Sequence, residues 1–452
     1  MNLRPYQSDA VTGLRVGFQK GAQSLILCIP TGGGKTVVFT TISKSSIKNG
    51  KKVMIICDRK ELIGQAKDNL ERLGLNPTII APGYKQHLNN CYLASVDTLV
   101  RRELPEVDII IIDEAHKQTF DKIITKYREE TNFNPLIIGA TATPQRTGKQ
   151  ASLHEFYDDI VEPVKISDLL DQKFLVPCRT YSAKQDFSDV KITGNDYNSG
   201  ALYDKFNKPK LYDGVIEQYK KFADGRKTIV FNVNVEHSRN MVQKFRQAGY
   251  RAEHLDGSTP DTLRKRILRD FSNGVFQILS NCSVLTTGYD EPTIEAVIIN
   301  RATKSLPLYL QMVGRGSRTS KGKKDFICID MGANVYEHGL WHDDRTWDLY
   351  KKPKKSEGVA PVKLCPSCEA MNNASARTCS ECGEAFKIEE SKLLTAEFVE
   401  VKVGLKGVKR GAQSRINLKT ASKDELKKYA SENGYKSSWV YVQLRNQKRV
   451  LN

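Results

Sequence analysis

The feature that most constrains this chain is a series of short apolar runs, rich in β-branched side chains, that come in two successive sets. The first set comprises residues 24–30 (SLILCIP), 53–58 (VMIICD), 92–96 (YLASV), 108–113 (DIIIID) and 136–141 (LIIGAT). The second comprises residues 228–233 (TIVFNV), 252–257 (AEHLDG), 276–281 (FQILSN), 296–300 (AVIIN) and 326–330 (FICID). Such runs are typical of strands buried on both faces, which occur in parallel sheets covered by helices. The sequence therefore predicts an α/β fold with two tandem parallel-sheet lobes.

The domain organisation follows from where this pattern begins, lapses and stops. We place lobe 1 at residues 1–165, lobe 2 at 166–350, a linker with a cysteine module at 351–390, and a basic tail or mini-domain at 391–452. The lobes are expected to meet within 160–210, and the polar, poorly periodic segment 183–210 is assigned to that boundary region.

Charge and hydropathy narrow the function classes. The 452 residues include 70 Lys and Arg against 52 Asp and Glu, a net charge of +18. This excess indicates a polyanionic partner, most simply nucleic acid, although an ordinary basic enzyme stays open. No apolar run is long enough for a membrane span, and MNLRPYQSDA does not resemble a signal peptide. A cytoplasmic location is therefore expected.

A glycine-rich loop lies between the first apolar run and the next helical stretch. It is formed by Thr31, Gly32, Gly33, Gly34, Lys35 and Thr36 after Pro30. Backbone N–H groups of such a loop, together with a helix N-terminus, suit phosphate oxygens. Lys35 would reach the β- and γ-phosphates, and the Thr36 hydroxyl would bind Mg²⁺. Ile29 stands where the full phosphate-loop pattern has its first glycine.

Charged residues in both lobes complete a candidate ATPase site. Asp113 and Glu114 end an apolar run, where Asp113 could hold Mg²⁺ and Glu114 could deprotonate water. The alternative is a solvated acidic pair. Arg315 and Arg318, spaced three apart, would project from one helix face as arginine fingers, and the alternative is a basic surface helix.

The cysteines fall into two groups. Cys365, Cys368, Cys379 and Cys382 form two C-x₂-C pairs, the spacing of a structural Zn²⁺ ribbon. Two disulfides or an iron–sulfur cluster are the alternatives. The scattered cysteines, expected as reduced core residues, are Cys28, Cys57, Cys91, Cys178, Cys282 and Cys328.

Eight segments resemble, in order and spacing, the motifs of superfamily 2 helicases of the DEAD/DEAH type. They are residues 3–7 (LRPYQ), 30–36 (PTGGGKT), 58–65 (DRKELIGQ), 113–116 (DEAH), 141–143 (TAT), 231–237 (FNVNVEH), 284–290 (VLTTGYD) and 311–318 (QMVGRGSR). The resemblance covers about residues 3–330. It implies two RecA-like lobes with ATP and Mg²⁺ between them and a nucleic-acid strand across both.

The resemblance also implies residue roles. ATP would be bound by Arg4, Gln7, Thr31, Gly32, Gly33, Gly34, Lys35, Thr36, Gly288 and Asp290. Catalysis would involve Lys35, Asp113, Glu114, Gln311, Arg315 and Arg318. Coupling of the cleft to the strand would involve His116, Thr141, Thr143 and Gln311. Backbone contacts to nucleic acid would come from Arg59, Thr98 and Thr286.

The order of a helicase core followed by a Cys₄ ribbon resembles the bacterial RadD-like DNA-repair helicases, with phage-borne relatives as an alternative. This implies a DNA helicase or translocase acting in repair, recombination or replication on single-stranded or branched DNA, in the cytoplasm of a bacterial or phage-infected cell. A single-strand-binding or recombination protein is a further candidate partner. An RNA helicase, and a nucleic-acid-binding or annealing protein with a regulatory ATPase, stay open.

Within the basic tail, residues 419–451 interleave aromatic residues with Lys and Arg. Its apolar positions favour a two-helix mini-domain. Base stacking on a basic face is the alternative.

Overall fold

The computed structural model describes residues 3–58, 60–72, 74–146, 152–286, 288–350, 362–386 and 422–432. They divide into two compact units, Met1–Ile388 and Glu389–Asn452. Arg59, the linker 351–357 and the tail aromatics within 435–441 lie outside the described residues. In the described part of the chain, no helix has the length and apolar character needed to cross a membrane.

Lobe 1 is built on a seven-stranded parallel sheet in the order β3-β4-β2-β5-β6-β1-β7. Its elements are α1 (Pro5–Gln19), β1 (Ser24–Cys28), α2 (Lys35–Lys48), β2 (Val53–Cys57), α3 (Lys60–Arg72), β3 (Thr78–Ile80), β4 (Cys91–Ser95), α4 (Val96–Leu99), β5 (Ile109–Asp113), α5 (Asp121–Glu129), β6 (Leu136–Thr141) and β7 (Asp159–Val161). All five predicted strands are present within two residues of their expected ends. The two strands that the pattern missed, β3 and β7, are three residues long and lie at the sheet edges.

Lobe 2 holds a six-stranded parallel sheet in the order β12-β13-β11-β14-β15-β8. Its elements are α6 (Ile166–Asp171), β8 (Cys178–Ser182), β9 (Ile192–Thr193), β10 (Asp196–Tyr197), α7 (Ser199–Phe206), α8 (Pro209–Ala223), β11 (Thr228–Asn232), α9 (Val235–Gln247), β12 (Ala252–Leu255), α10 (Asp261–Ser272), β13 (Ile278–Asn281), β14 (Ala296–Asn300), α11 (Leu306–Val313), β15 (Phe326–Asp330) and α12 (Asn334–His338). The predicted fold class, two α/β lobes in tandem, is confirmed.

The segment 183–210 is not the boundary region that its polar character suggested. The chain has already entered the second sheet at β8 before this segment begins. Phe187, Leu202 and Phe206 then bury their side chains in a small core with residues of lobe 2. The apolar residues are too widely spaced to reveal this core as a periodic pattern.

The cysteine module packs against lobe 2. Its antiparallel strands are β16 (Val362–Leu364) and β17 (Met371–Asn373). Cys365 and Cys379 are buried in the same cluster as Tyr181 and Tyr219 of lobe 2. An ion pair of 2.5 Å between Lys221 and Glu369 adds a polar contact. In the separate C-terminal unit, the described residues form α13 (Lys423–Glu432).

The lobes are joined at two places. Residues 162–176 lead from lobe 1 to lobe 2, and Leu169 and Leu175 of this segment lie in the core of lobe 2. After α12 the chain returns, so that Leu349 is buried in a core cluster of lobe 1. Trp347 packs against the cores of both lobes. The cleft between the lobes is therefore bordered by two chain crossings.

Candidate active site

The glycine-rich loop links the end of β1 to the start of α2. Gly34 has φ +82° and immediately precedes Lys35, the first residue of the helix. A Cβ on Gly33 would lie 2.6 Å from Ile29 Cγ2, and one on Gly34 would lie 2.6 Å from Gln7 Nε2. Both positions therefore require glycine. The helix that follows supplies backbone N–H groups and the positive end of its dipole, which suit phosphate.

The N-terminal segment folds against this loop. Tyr6 OH donates to Gly33 O at 2.8 Å, and Gln7 Nε2 donates to the same carbonyl at 3.4 Å. Gln7 Oε1 accepts from Arg4 N–H at 3.0 Å, while the Arg4 guanidinium lies over the Phe174 ring, 4.2 Å from its centroid. The structure thus places Arg4 and Gln7 at the loop, and their contact with ATP stays a prediction. It adds Tyr6 and Phe174, which no argument from sequence singled out.

Glu114 is the point where groups from both lobes meet. Lys35 Nζ lies 3.4 Å from Glu114 Oε1, and Gln311 Nε2 donates to Glu114 Oε2 at 3.1 Å across the cleft. Glu114 has φ +56°, a conformation that costs a residue with a side chain about 1 kcal/mol or more. Strain of this kind is retained where the surrounding structure fixes a side chain at a functional site. Asp113 ends β5 beside it.

The two carboxylates differ in their ionisation. Burial and the adjacent charge of Glu114 raise the pKa of Asp113 to about 6. Burial also acts to raise the pKa of Glu114, but the nearby positive charges, Lys35 foremost, outweigh it and lower that pKa to about 2. Glu114 is therefore the carboxylate that stays ionised most readily.

A hydrogen-bonded chain extends from the acidic pair. His116 Nδ1 and Thr141 Oγ1 are 2.8 Å apart, and Thr143 N–H donates to Thr141 Oγ1 at 3.1 Å. Burial lowers the pKa of His116 to about 4, so the ring is neutral near pH 7. The side chains of His116 and Thr141 and the backbone N–H of Thr143 thus form one hydrogen-bonded group next to Glu114.

The arginines lie differently from their expected place on one helix face. α11 ends at Val313, and a 3₁₀ turn over Gly314–Gly316 carries Arg315. Arg315 donates to the carbonyls of Thr286, at 2.8 Å, and of Tyr289. Arg318 forms an ion pair with Asp290. Both guanidinium groups therefore face the segment 286–290 of their own lobe.

The arginine segment, residues 314–318, nevertheless touches the glycine-rich loop. A Cβ on Gly314 would lie 2.9 Å from Thr31 Cβ, and a Cβ on Gly32 would lie 3.1 Å from Ser317 Oγ. The negative charges of Glu114 and Asp113 also act on buried Arg315, whose pKa burial lowers to about 10. The two lobes are thus in direct contact at the site.

Among the described residues, no contact joins Thr98 to Thr286, two of the residues expected at nucleic acid; the third, Arg59, lies outside this part of the chain. Thr98 lies in the short helix α4, and Thr286 is buried with its hydroxyl 3.4 Å from Ser283 O. Gly288 has φ +74°, next to the segment that holds Asp290.

The four clustered cysteines have the geometry of a metal site. Their Sγ atoms all lie within 4.8 Å of one another, and the pairs Cys365–Cys382 and Cys368–Cys379 are 3.7 Å apart. Zn–S bonds of about 2.3 Å in a tetrahedron place sulfur atoms about 3.8 Å apart. Asn372 Nδ2 and Glu381 N–H also donate to Cys379 Sγ, which is the outer-shell support that thiolates need. The residues present fit a tetrahedral ion.

Five of the six scattered cysteines, all but Cys282, are buried as expected.

Comparisons with known proteins agree with this geometry. Residues 1–146 match the family model "Type III restriction enzyme, res subunit", and residues 209–320 match "Helicase conserved C-terminal domain". A 51.5 kDa protein of a Lactococcus phage is 31% identical over 92% of this chain and 87% of its own length. IRC3 of Saccharomyces cerevisiae, named as a candidate ATP-dependent helicase, is 30% identical over 74% of this chain. The match spans about half, 52%, of that yeast protein.

A solved structure shares the fold. It is a fragment of a candidate HsdR subunit of a type I restriction enzyme from Vibrio vulnificus YJ016. It has a TM-score of 0.57 and 23% identity and covers 74% of this chain and 64% of the other. Together with the paired family models and the phage relative, the geometry leads to one conclusion. The chain belongs to the superfamily 2 helicases, whose ATPase activity depends on nucleic acid.

Proposed function

We propose that this protein is a DNA-dependent ATPase that translocates on or remodels single-stranded or branched DNA in repair, recombination or replication. The observation that carries the proposal is Glu114, which a lysine of lobe 1 and a glutamine of lobe 2 contact at once. Because the Glu114 carboxylate contacts both lobes, a change in its contacts when ATP is hydrolysed would act on both lobes.

In the proposed reaction, ATP lies between the lobes with its phosphates on the loop Thr31–Thr36 and its adenine near Arg4 and Gln7. Glu114 accepts a proton from water as the water oxygen attacks the γ-phosphorus, and the bond to the β-phosphate oxygen breaks. The neighbouring cations keep this carboxylate ionised at neutral pH, which is the state a proton acceptor needs. Thr36 and Asp113 would hold Mg²⁺, which would neutralise part of the phosphate charge when bound.

Arg315 and Arg318 are proposed to stabilise the charge that develops on the γ-phosphate. Both now bind acceptors of their own lobe, including Asp290. A phosphate is a stronger partner for a guanidinium than a backbone carbonyl, because the hydrogen bonds are charge-assisted. Arg315 would therefore exchange its two carbonyls for phosphate oxygens when ATP binds, and Arg318 would exchange Asp290 for the more highly charged γ-phosphate. Both arginines would lose this phosphate after hydrolysis.

Coupling to the nucleic acid is proposed to run through the contacts of Glu114. Loss of the γ-phosphate changes the charge around Glu114. This change alters the contact of Glu114 with Gln311 and its contact with the neighbouring His116–Thr141 pair. The lobes then separate, and their grip on the strand changes. Arg59, Thr98 and Thr286 are proposed to contact the strand, and Gly288 is proposed to lie on the ribose and γ-phosphate side of ATP.

DNA is favoured over RNA for two reasons. The family model matching lobe 1 is named for a restriction enzyme, and a 23% identical relative is the "Type I restriction enzyme EcoKI endonuclease subunit" of Escherichia coli. The net charge of +18 suits the phosphate backbone of either nucleic acid. A single-strand-binding or recombination protein is proposed as a further partner.

We further propose that Cys365, Cys368, Cys379 and Cys382 bind one structural Zn²⁺ ion. The sulfur–sulfur distances and the N–H donors to Cys379 support this assignment. Closed four-thiolate sites leave no position for a substrate, so the ion would act in folding.

The experiment that tests the proposed function compares Lys35→Ala with Lys44→Ala, which changes an exposed lysine on the same helix. We expect Lys35→Ala to lose DNA-stimulated ATP hydrolysis while still binding single-stranded DNA in fluorescence anisotropy. Lys44→Ala should resemble the unchanged protein in both assays. Full DNA-stimulated hydrolysis by Lys35→Ala would refute the site. Equal or greater stimulation by RNA of the same sequence would overturn the choice of DNA.

A further inference from the structure

Lys323 lies beyond the arginine segment, residues 314–318, and has no part in the roles assigned above. Its half-buried side chain donates hydrogen bonds to three backbone carbonyls, Gly316 O at 2.6 Å, Arg318 O at 2.8 Å and Pro292 O at 3.0 Å. An ammonium group has three N–H donors, so each of them has an acceptor. A lysine used entirely on backbone carbonyls holds a chain conformation in place.

The three carbonyls belong to two separate segments. Gly316 and Arg318 are in the arginine segment, whereas Pro292 ends the segment 286–292 that contains Asp290. The same two segments are also joined by Arg315, through Thr286 O and Tyr289 O, and by the Arg318–Asp290 ion pair. Lys323 is therefore one of three cationic side chains between these segments.

Lys323 differs from the two arginines in what happens when ATP binds. In the proposed function, the guanidiniums turn toward the γ-phosphate and give up contacts with residues 286–290. The Lys323 ammonium has no such second task, so its contacts with both segments persist. The hydrogen bonds of Lys323 thus keep the two segments together while the arginines change partners.

We propose that Lys323 is a positioning residue for the arginine fingers. Its hydrogen bonds join the backbone of the arginine segment to Pro292. They therefore hold in place the backbone from which Arg315 and Arg318 extend toward the transferred phosphate. This inference rests on the proposed function, which assigns the two arginines to ATP. Because positioning acts mainly in the transition state, its loss is expected to lower kcat more than ATP affinity.

The charge of Lys323 adds a pH dependence. Burial lowers the pKa of Lys323 to about 8; Arg318 and Arg226 act in the same direction, whereas Glu295 and Glu291 oppose them. Above that pH the neutral amine keeps only two N–H donors, so one of the three carbonyls loses its bond. The contribution of the Lys323 hydrogen bonds is therefore complete well below pH 8 and declines as the pH rises through 8.

The test uses the full chain with Lys323→Met, Lys323→Arg and, as the matched control, Lys324→Met, which changes the adjacent exposed lysine. We expect Lys323→Met to lower kcat for ATP hydrolysis by about tenfold or more with KM changed less than about threefold. Lys323→Arg, which keeps the positive charge and offers N–H donors to the same carbonyls, should recover kcat to within about threefold. Lys324→Met should match the unchanged protein.

The pH profile supplies a second readout that does not need the methionine variant to fold. Between pH 7 and pH 9, kcat of the unchanged protein should fall relative to that of Lys323→Arg, whose guanidinium stays charged. Parallel profiles, a Lys323→Met protein with unchanged kcat, or equally slow Met and Arg variants would each overturn the proposal. The kcat of each variant is also measured without DNA. If DNA does not stimulate turnover, the proposed function is refuted, but the variants can still be compared in their DNA-independent kcat.

Discussion

The contact between Tyr6 and the glycine-rich loop gives a prediction whose size follows from the structure. Tyr6→Phe removes a hydroxyl that donates to Gly33 O at 2.8 Å and accepts from Arg4 Nη1 at 3.2 Å. The ring itself stays in the core beside Phe174. A hydrogen bond of this kind is worth about 1 kcal/mol, so the two together amount to about 2 kcal/mol.

Not all of this energy is lost from ATP binding. Gly33 O keeps the weaker 3.4 Å bond from Gln7 Nε2, so the carbonyl is not left without a donor. We therefore expect a loss of about 1–2 kcal/mol in holding the loop in its phosphate-binding shape, which corresponds to about 5–30-fold weaker ATP binding. Because Lys35 and Glu114 are untouched, kcat at saturating ATP should change much less.

The assay is titration of the protein with a fluorescent ATP analogue, paired with steady-state measurement of KM and kcat. Tyr84→Phe is the matched control, since Tyr84 is 53% exposed and does not belong to the glycine-rich loop. An ATP affinity of Tyr6→Phe within about twofold of the unchanged protein would refute the reasoning. A loss of kcat with unchanged affinity would also contradict it.

The remaining predictions concern the cleft, the ribbon and nucleic acid. Gln311→Ala removes the bond from lobe 2 to Glu114, worth about 1.5–3 kcal/mol to a charged acceptor, and should weaken the stimulation of ATP hydrolysis by DNA more than basal turnover. Metal analysis should find one zinc per chain, and Cys379→Ser should lower the Tm because Cys379 is buried with Tyr181 of lobe 2. The affinity for single-stranded DNA should fall linearly on a log–log plot against salt, and no salt dependence would contradict backbone contacts.

The sequence allowed the fold and the chemical centre of the site to be predicted for a simple physical reason. Strands buried on both faces carry continuous apolar runs, and parallel strands present their carboxyl ends at one edge. Lys35 and Glu114 follow such strands, so their meeting was foreseeable from local pattern alone. The edge strands β3 and β7 were missed because three residues carry too little periodicity to stand out.

Other features depend on contacts between distant segments, which local patterns do not encode. Tyr6 reaches a carbonyl 27 residues away, and Lys323 reaches one 31 residues away. The actual partners of Arg315 were also unforeseen, because the helix ends at Val313 before the arginine is reached. A lysine whose partners are backbone carbonyls has no sequence signature, since any residue supplies a carbonyl.

The central claim is that the protein hydrolyses ATP in the cleft around Glu114 and that DNA stimulates this hydrolysis. Steady-state measurement of ATP hydrolysis tests it most directly. The purified protein is measured without nucleic acid and with single-stranded DNA, forked duplex DNA and RNA, beside a Glu114→Gln control. The account predicts strong stimulation by DNA, weaker stimulation by RNA, and loss of turnover in Glu114→Gln. Turnover that is indifferent to every nucleic acid, or that persists in Glu114→Gln, would contradict it.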